Sequence, residues 1–174
     1  LALLAAQPAP SFAEMGPVQA RAAMGAMGAM FDLPMHALAR DEALLAEEAG
    51  SHAIPLRMRA ARASRTASLV VLFFHGGGFV LGDTAGYAAP CSALAQMLDL
   101  PLVSVDYRLA PEHPWPDGPD DCEAAARFVA DRADLGFAVE GLILVGDSAG
   151  GGLAVVTAMA LRDRPARVPA IAAC

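Results

Sequence analysis

The stretch 142–152 constrains this chain more than any other. Apolar residues typical of a buried strand, 142–145, are followed by a glycine-flanked serine, and an apolar helical pattern begins at once. A serine hydroxyl is a poor nucleophile unless a tight turn exposes it to a base, and G-x-S-x-G between a strand and a helix is typical of such a turn. Ser148 is therefore the candidate nucleophile. Glycines around a serine also form ordinary turns, so the pentapeptide alone leaves both interpretations open.

The residues beside Ser148 fit the same chemistry. Gly146 and Gly150 lie two positions before and after it, where a side chain would crowd the serine or the crossing chain. The amide of Ala149 opens the next helix, where it would face the negative charge that develops on an attacked carbonyl oxygen.

Composition limits the class of protein. The 174 residues fit one domain with a sizeable core. Hydrophobic residues make up 56% and charged residues only 18%, against about 25% charged in an average domain. No window reaches about 18 uninterrupted apolar residues, so no membrane-spanning helix is expected. Part of the apolar surface should instead be covered by something else. A net charge of -7 without clusters of basic residues argues against a nucleic-acid partner.

The cysteines and histidines predict neither a metal site nor a cofactor. Cys91, Cys122 and Cys174 contain no C-x-x-C pair, and the histidines lack the i, i+4 spacing of a helical zinc motif. No basic segment followed by an apolar core and a cleavage site is present. We expect free thiols and a cytoplasmic protein.

Residues 1–50 are rich in alanine and methionine and are interrupted by prolines, which predicts short helices. Met24, Met27 and Met30 would share one helical face. This face suits plain packing, and it also suits a lid over a variable apolar substrate. The charged run 40–50 is expected to form an exposed helix with solvated carboxylates.

The remainder alternates strands and helices. Strands are predicted at 54–59, 69–74, 102–105 and 142–145, helices begin at Pro90 and Pro119, and a proline-rich loop occupies 106–116. The run 69–74 is apolar without alternation, as in a strand buried on both faces. This order predicts an α/β fold with a parallel sheet.

Three successive glycines follow the strand 69–74, in His75-Gly76-Gly77-Gly78-Phe79. They form either a flexible loop or a backbone that offers bare amides to an oxyanion. Ligands bind at the carboxyl ends of parallel strands, and both this loop and Ser148 are expected there. The hydrolytic interpretation requires the two to converge.

Three motifs together resemble the hormone-sensitive-lipase-like serine esterases of the α/β-hydrolase fold. They read HGGGF at 75–79, DYRLAPEHPWP at 106–116 and GDSAGGGLA at 146–154. The resemblance covers most of 50–162 and implies a mostly parallel sheet with flanking helices. Residues 1–50 resemble the family's N-terminal helical cap segment, and 51–174 would be the N-terminal part of the catalytic domain, with the C-terminal part missing.

The resemblance implies a small-molecule ester as substrate and Ser148 as the nucleophile that forms an acyl-enzyme. It implies an oxyanion hole made by the amides of Gly77, Gly78 and Ala149, with Gly76 as the alternative donor.

Other residues of the motifs are expected to support the site. His75 would brace the glycine loop, and Asp106, Tyr107, Arg108 and Glu112 would hold loops together beneath it. Asp147, as the sequence neighbour of Ser148, cannot orient a histidine on the other side of the serine.

The sequence departs from the family in one respect. The triad of this fold runs Ser, then Asp or Glu, then His, but Asp163 is the only acidic residue after Ser148 and no histidine follows it. The segment 167–174 resembles the opening of a further strand. We therefore expect a partial sequence that is inactive by itself. The alternative is a non-catalytic relative that binds a small apolar carboxylate or ester, as the plant gibberellin receptors of similar sequence do.

Overall fold

The computed structural model describes residues 14–30, 34–47, 52–131, 135–166 and 169–173. Within these residues one sheet of six strands is flanked by helices. The strands are β1 Arg40–Ala46, β2 Ile54–Ala60, β3 Ala67–Phe74, β4 Leu102–Val105, β5 Ala138–Gly146 and β6 Ala170–Ala173. The helices are α1 Pro17–Met30, α2 Ala88–Leu98, α3 Asp117–Asp131 and α4 Ala149–Asp163.

The strands lie in the order β1-β2-β4-β3-β5-β6. The pairs β1/β2 and β2/β4 are antiparallel, whereas β4/β3, β3/β5 and β5/β6 are parallel. The predicted α/β architecture with a mostly parallel sheet is confirmed. Helices α2 and α3 begin at Ala88 and Asp117, slightly before the prolines that predicted them.

The prediction of an exposed helix over 40–50 is wrong, because β1 occupies Arg40–Ala46. Alternate residues of β1 differ in exposure, and Leu44 packs against the core. Arg40 pairs with Glu42 at 2.7 Å, a contact that strand geometry allows because residues i and i+2 share a face. Pairing with β2 thus overrides the helical preference of the charged run. Residues 48–51 lie outside the described part.

Strand β3 is buried on both faces, as its uninterrupted apolar sequence predicts. Val70, Leu72 and Phe74 belong to the core cluster that includes residues of α3 and α4. Val71 and Phe73 belong to a second cluster with Cys91 and Ala95 of α2. Each fully buried side chain of this size contributes about 1.5–3 kcal/mol, so β3 is a rigid platform for the loop that follows it.

The side chains of Cys91 and Cys122 are buried free thiols. Burial raises the pKa of Cys91 to about 12, so this thiol stays protonated and unreactive. Cys174 lies outside the described residues, as do the side chains of Met27 and Met30, so the methionine face of α1 stays a prediction. None of the helices that the structure describes is both long and apolar enough to span a bilayer.

Candidate active site

Ser148 lies on the turn that joins β5 to α4. Its backbone has φ 51° and ψ -118°, a conformation that L-residues rarely adopt and that costs of order 1–3 kcal/mol. The serine is exposed, although β5 before it and α4 after it are both well packed. The turn therefore presents the hydroxyl to solvent at the carboxyl end of an interior strand.

Close packing explains the two flanking glycines. A Cβ on Gly146 would overlap the backbone of Gly150, and a Cβ on Gly150 would overlap the carbonyl oxygen of Phe74. Any side chain at either position would push α4 away from the sheet, so the turn requires both glycines.

The glycine loop after β3 has a defined conformation. Gly77 and Gly78 have φ 121° and 63°, and Phe79 has φ 65°. The Gly77 carbonyl oxygen accepts hydrogen bonds from the amides of Val80 at 3.2 Å and Leu81 at 2.9 Å. The loop is thus a hydrogen-bonded turn.

The glycine loop meets the serine turn. Phe74 pairs with Gly146 across the parallel strands β3 and β5, so both loops leave the same edge of the sheet. The Gly76 amide donates a hydrogen bond to Asp147 Oδ1 at 2.8 Å. A Cβ on Gly76 would lie 2.9 Å from the Asp147 carbonyl oxygen, so a larger residue would separate the two loops.

The amides at this junction differ in their partners. The Gly76 N–H is occupied by Asp147. Among the described residues, no hydrogen bond uses the N–H of Gly77, Gly78 or Ala149. These last amides are the ones available to an incoming acceptor.

Tyr87 braces the junction, and sequence reasoning missed it. Its hydroxyl donates to Asp147 Oδ2 at 2.9 Å. Burial, with the neighbouring Asp147 carboxylate, raises the pKa of Tyr87 to about 12, so the hydroxyl keeps its proton and remains a donor. Each oxygen of Asp147 therefore has a structural partner.

His75 supports the glycine loop from below. Its ring is buried and stacks on Tyr107 with ring centroids 4.3 Å apart. His75 Nδ1 lies 2.8 Å from the Gly76 carbonyl oxygen, and the Tyr107 hydroxyl donates to the His75 carbonyl oxygen at 2.7 Å. These contacts hold the end of β3 against the loop 106–116.

Two carboxylates fix the loop 106–116. Asp106 Oδ1 accepts the Thr84 amide at 3.1 Å, and burial raises the pKa of Asp106. Arg108 donates from Nη2 to the buried Asp121 of α3 at 2.8 Å, and its backbone amide bonds the same carboxylate at 2.9 Å.

Arg21 of α1 ties both loops together. Its guanidinium donates to Val80 O at 2.8 Å and Ala110 O at 3.0 Å, and it pairs with Glu112 at 2.7 Å. The hydrogen bond from Arg21 lowers the pKa of Glu112 to about 2. The Ala110 amide also donates to Phe79 O at 2.9 Å. Sequence reasoning assigned Glu112 a supporting role but missed Arg21.

A cavity of about 460 Å³ opens beside the junction. The glycine loop, the loop 106–116 and the first turns of α3 and α4 surround it. Its lining consists of Gly78, Phe79, Tyr107, Arg108, Ala110, His113, Trp115, Gly118, Pro119, Gly152, Leu153 and Val156.

Comparisons with known proteins identify the family of this fold. A family model for the alpha/beta hydrolase fold matches residues 71–174. Esterase LipI of Mycobacterium tuberculosis is 50% identical over 99 residues, which cover 54% of this chain and 30% of LipI. Hormone-sensitive lipase of Homo sapiens is 38% identical over 121 residues, which cover 69% of this chain and 11% of the lipase.

Solved structures resemble the fold closely. The Pyrobaculum calidifontis esterase superposes with a TM-score of 0.80 at 35% identity, covering 95% of this chain and 53% of that protein. The chain therefore spans well under two thirds of these relatives. The matched family model and the common fold lead to one conclusion: this chain belongs to the α/β-hydrolase-fold family, and it resembles the hormone-sensitive-lipase-like members that its motifs indicate.

Proposed function

We propose that this chain carries the nucleophile and the oxyanion hole of a serine carboxylic ester hydrolase. The observation that carries the proposal is the hydrogen bond from the Gly76 amide to Asp147, the residue before Ser148. This bond joins the glycine loop, with its available amides, to the turn that carries the exposed serine. The names of the relatives, esterase and hormone-sensitive lipase, support an ester as the substrate class.

The proposed reaction has two steps. Ser148 Oγ attacks the carbonyl carbon of the ester, the carbonyl oxygen becomes an oxyanion, and the bond to the alcohol oxygen breaks to leave an acyl-enzyme. Water then attacks the acyl-enzyme and releases the acid. The amides of Gly77, Gly78 and Ala149 would donate to the oxyanion, each contributing roughly 3–4 kcal/mol to its stabilisation in the transition state.

The serine proton must pass to a base and then to the leaving alcohol. No histidine follows Ser148 in this sequence. We therefore assign the base and its orienting acid to a longer polypeptide that contains this chain. Loss of the histidine from a serine triad costs on the order of 10⁶ in turnover, so the 174-residue chain alone should be practically inactive.

A fluorophosphonate probe tests the proposal, because it labels only a serine that a base activates. The longer polypeptide should be labelled at Ser148, as located by peptide mass spectrometry, and its Ser148→Ala variant should not. The 174-residue chain should label at least 10³-fold more slowly. A longer polypeptide that stays unlabelled but binds an apolar ester would instead support the non-catalytic binder.

A further inference from the structure

The cavity borders the proposed reaction centre. Gly78, whose amide is a proposed oxyanion donor, forms part of its wall. Gly152, which also lines the cavity, donates its amide to the Ser148 carbonyl oxygen at 3.4 Å, one helical turn from the serine. A substrate with its carbonyl group at Ser148 would therefore extend into this space.

Three large apolar side chains that line the cavity face water. Phe79 is 47% exposed, Trp115 83% and Val156 49%. Large exposed apolar side chains around one concavity are typical of a binding site for an apolar group.

The polar side chains of the lining already have partners. Arg108 is bound to Asp121, and the Tyr107 hydroxyl donates to the His75 carbonyl oxygen. His113 Nδ1 lies 3.3 Å from Asp117 Oδ2. An occupant would therefore be selected by its apolar surface and its shape, because these side chains are already engaged.

Gly152 differs from the other glycines near the serine. It lies within α4, where glycine is destabilising relative to alanine. A Cβ on Gly146 or Gly150 would overlap backbone atoms, but a Cβ on Gly152 would meet nothing within 4 Å. Folding therefore does not require a glycine here, and Gly152 is part of the cavity wall.

From these observations we propose that Gly152 is a specificity-determining residue, whose missing side chain keeps the cavity wide enough for an extended apolar group of the ester. This proposal rests on the ester hydrolase function proposed above. The occupant is an alkyl chain of several carbons, carried on either the acyl or the alcohol part of the ester.

Two substrate series test the proposal on the longer polypeptide. One lengthens the acyl chain of p-nitrophenyl esters from acetate to decanoate, and the other lengthens the alcohol of acetate esters. For the unsubstituted longer polypeptide, the parent of the variants below, kcat/KM should rise roughly fourfold per methylene in the series whose chain enters the cavity. Gly152→Val should lower kcat/KM for octanoate or octyl esters by at least about 10-fold, yet change it for the shortest ester by less than about threefold.

Gly25→Val is the matched control. Gly25 also lies within a helix, α1, and a Cβ there would also meet nothing within 4 Å, but Gly25 does not line the cavity. This variant should keep the parent's chain-length profile. An unchanged profile in Gly152→Val, or an equal loss for every chain length, would overturn the proposal.

A binding measurement separates this inference from the hydrolytic function. Trp115 is the only tryptophan in the sequence, so its emission in the 174-residue chain reports on the cavity alone. Methyl hexanoate should shift this emission saturably, and Gly152→Val should weaken the binding at least about fivefold. Binding without hydrolysis in the longer polypeptide would refute the enzyme but keep the cavity assignment. If the longer polypeptide hydrolyses esters but the unsubstituted 174-residue chain and its Gly152→Val variant bind methyl hexanoate equally well, the role of Gly152 would be refuted.

Discussion

Asp147 Oδ1 accepts a hydrogen bond from the Gly76 amide at 2.8 Å, across 71 positions of sequence. The other carboxylate oxygen accepts the Tyr87 hydroxyl at 2.9 Å. One side chain therefore holds the serine turn, the glycine loop and the residue preceding α2 in register. Asp147 therefore has a structural role: it links the turn that carries Ser148 to its two neighbouring segments.

Replacement of Asp147 should weaken this junction. Asp147→Ala leaves the buried Gly76 N–H and the Tyr87 hydroxyl without their acceptor, and hydrogen bonds to charged groups contribute about 1.5–3 kcal/mol. We expect a loss of this size in the free energy of unfolding, measured by urea denaturation. Asp147→Asn keeps an acceptor for Gly76 and should lose less than half as much. Equal losses in the two variants would show that the bond to Gly76 is unimportant.

Backbone strain at Ser148 gives a second prediction. The conformation at φ 51° and ψ -118° suits glycine, which has no Cβ to clash. Ser148→Gly should raise the free energy of unfolding by about 0.5–2 kcal/mol, since relief of strain exceeds the added chain entropy. Ser148→Ala keeps the Cβ and should stay within about 0.5 kcal/mol of the parent. Thermal unfolding measures both, and a destabilised glycine variant would contradict the assignment of strain.

Sequence reasoning finds the elements whose signal is local. An uninterrupted apolar run predicts β3 because this strand is buried on both faces. The sequence also predicts the tight turn at Ser148, whereas for the glycines after His75 it leaves a flexible loop and a close approach of the backbone both open. Strand β1 is not predicted by such reasoning, because its charged residues suggest the solvated face of a helix. It is the pairing with β2 that makes this segment a strand.

Tyr87 and Arg21, the two bracing residues that sequence reasoning missed, lack any local signal. Tyr87 bonds a residue 60 positions away, and Arg21 bonds Glu112 across 91 positions. Nothing in the spacing around either residue indicates these partners, because the fold alone brings them together. The sequence thus offers candidates for the reacting groups, but it gives no signal for these two long-range contacts.

The glycines of α4 provide a third prediction within a single helix. A Cβ on Gly150 would overlap the carbonyl oxygen of Phe74, so Gly150→Ala must displace α4 or β3. We expect a loss of at least about 1–3 kcal/mol, as for overpacked cores. Gly152→Ala has open space and should gain about 0.5–1 kcal/mol from the higher helix propensity of alanine. Urea denaturation of both variants checks the contrast, and a tolerated Gly150→Ala would contradict the close packing.

The attachment of α1 through Arg21 and Glu112 should depend on pH and salt. The pKa of Glu112 falls from its ordinary 4.5 to about 2 because Arg21 bonds its carboxylate. A lowered pKa in the folded state means that the ionised carboxylate contributes stability above about pH 4.5, and that this contribution disappears as the pH falls towards 2. Hydrogen exchange of amides in α1 and in the segment 76–82 should therefore be constant between pH 5 and 8 after correction for intrinsic rates. Exchange should accelerate below about pH 4, and also at about 1 M salt, because the pair is exposed.

Variants separate this pair from the general effect of acid. Arg21→Ala should accelerate exchange in α1 and 76–82 at neutral pH, because Val80 O and Ala110 O lose their donor along with Glu112. Arg162→Ala is the matched control: it removes an equally short ion pair, to Asp163 at 2.7 Å, on the exposed end of α4. It should leave both segments unchanged. Equal exchange in the two variants would mean that other contacts hold α1 on the loops and that Arg21 is dispensable there.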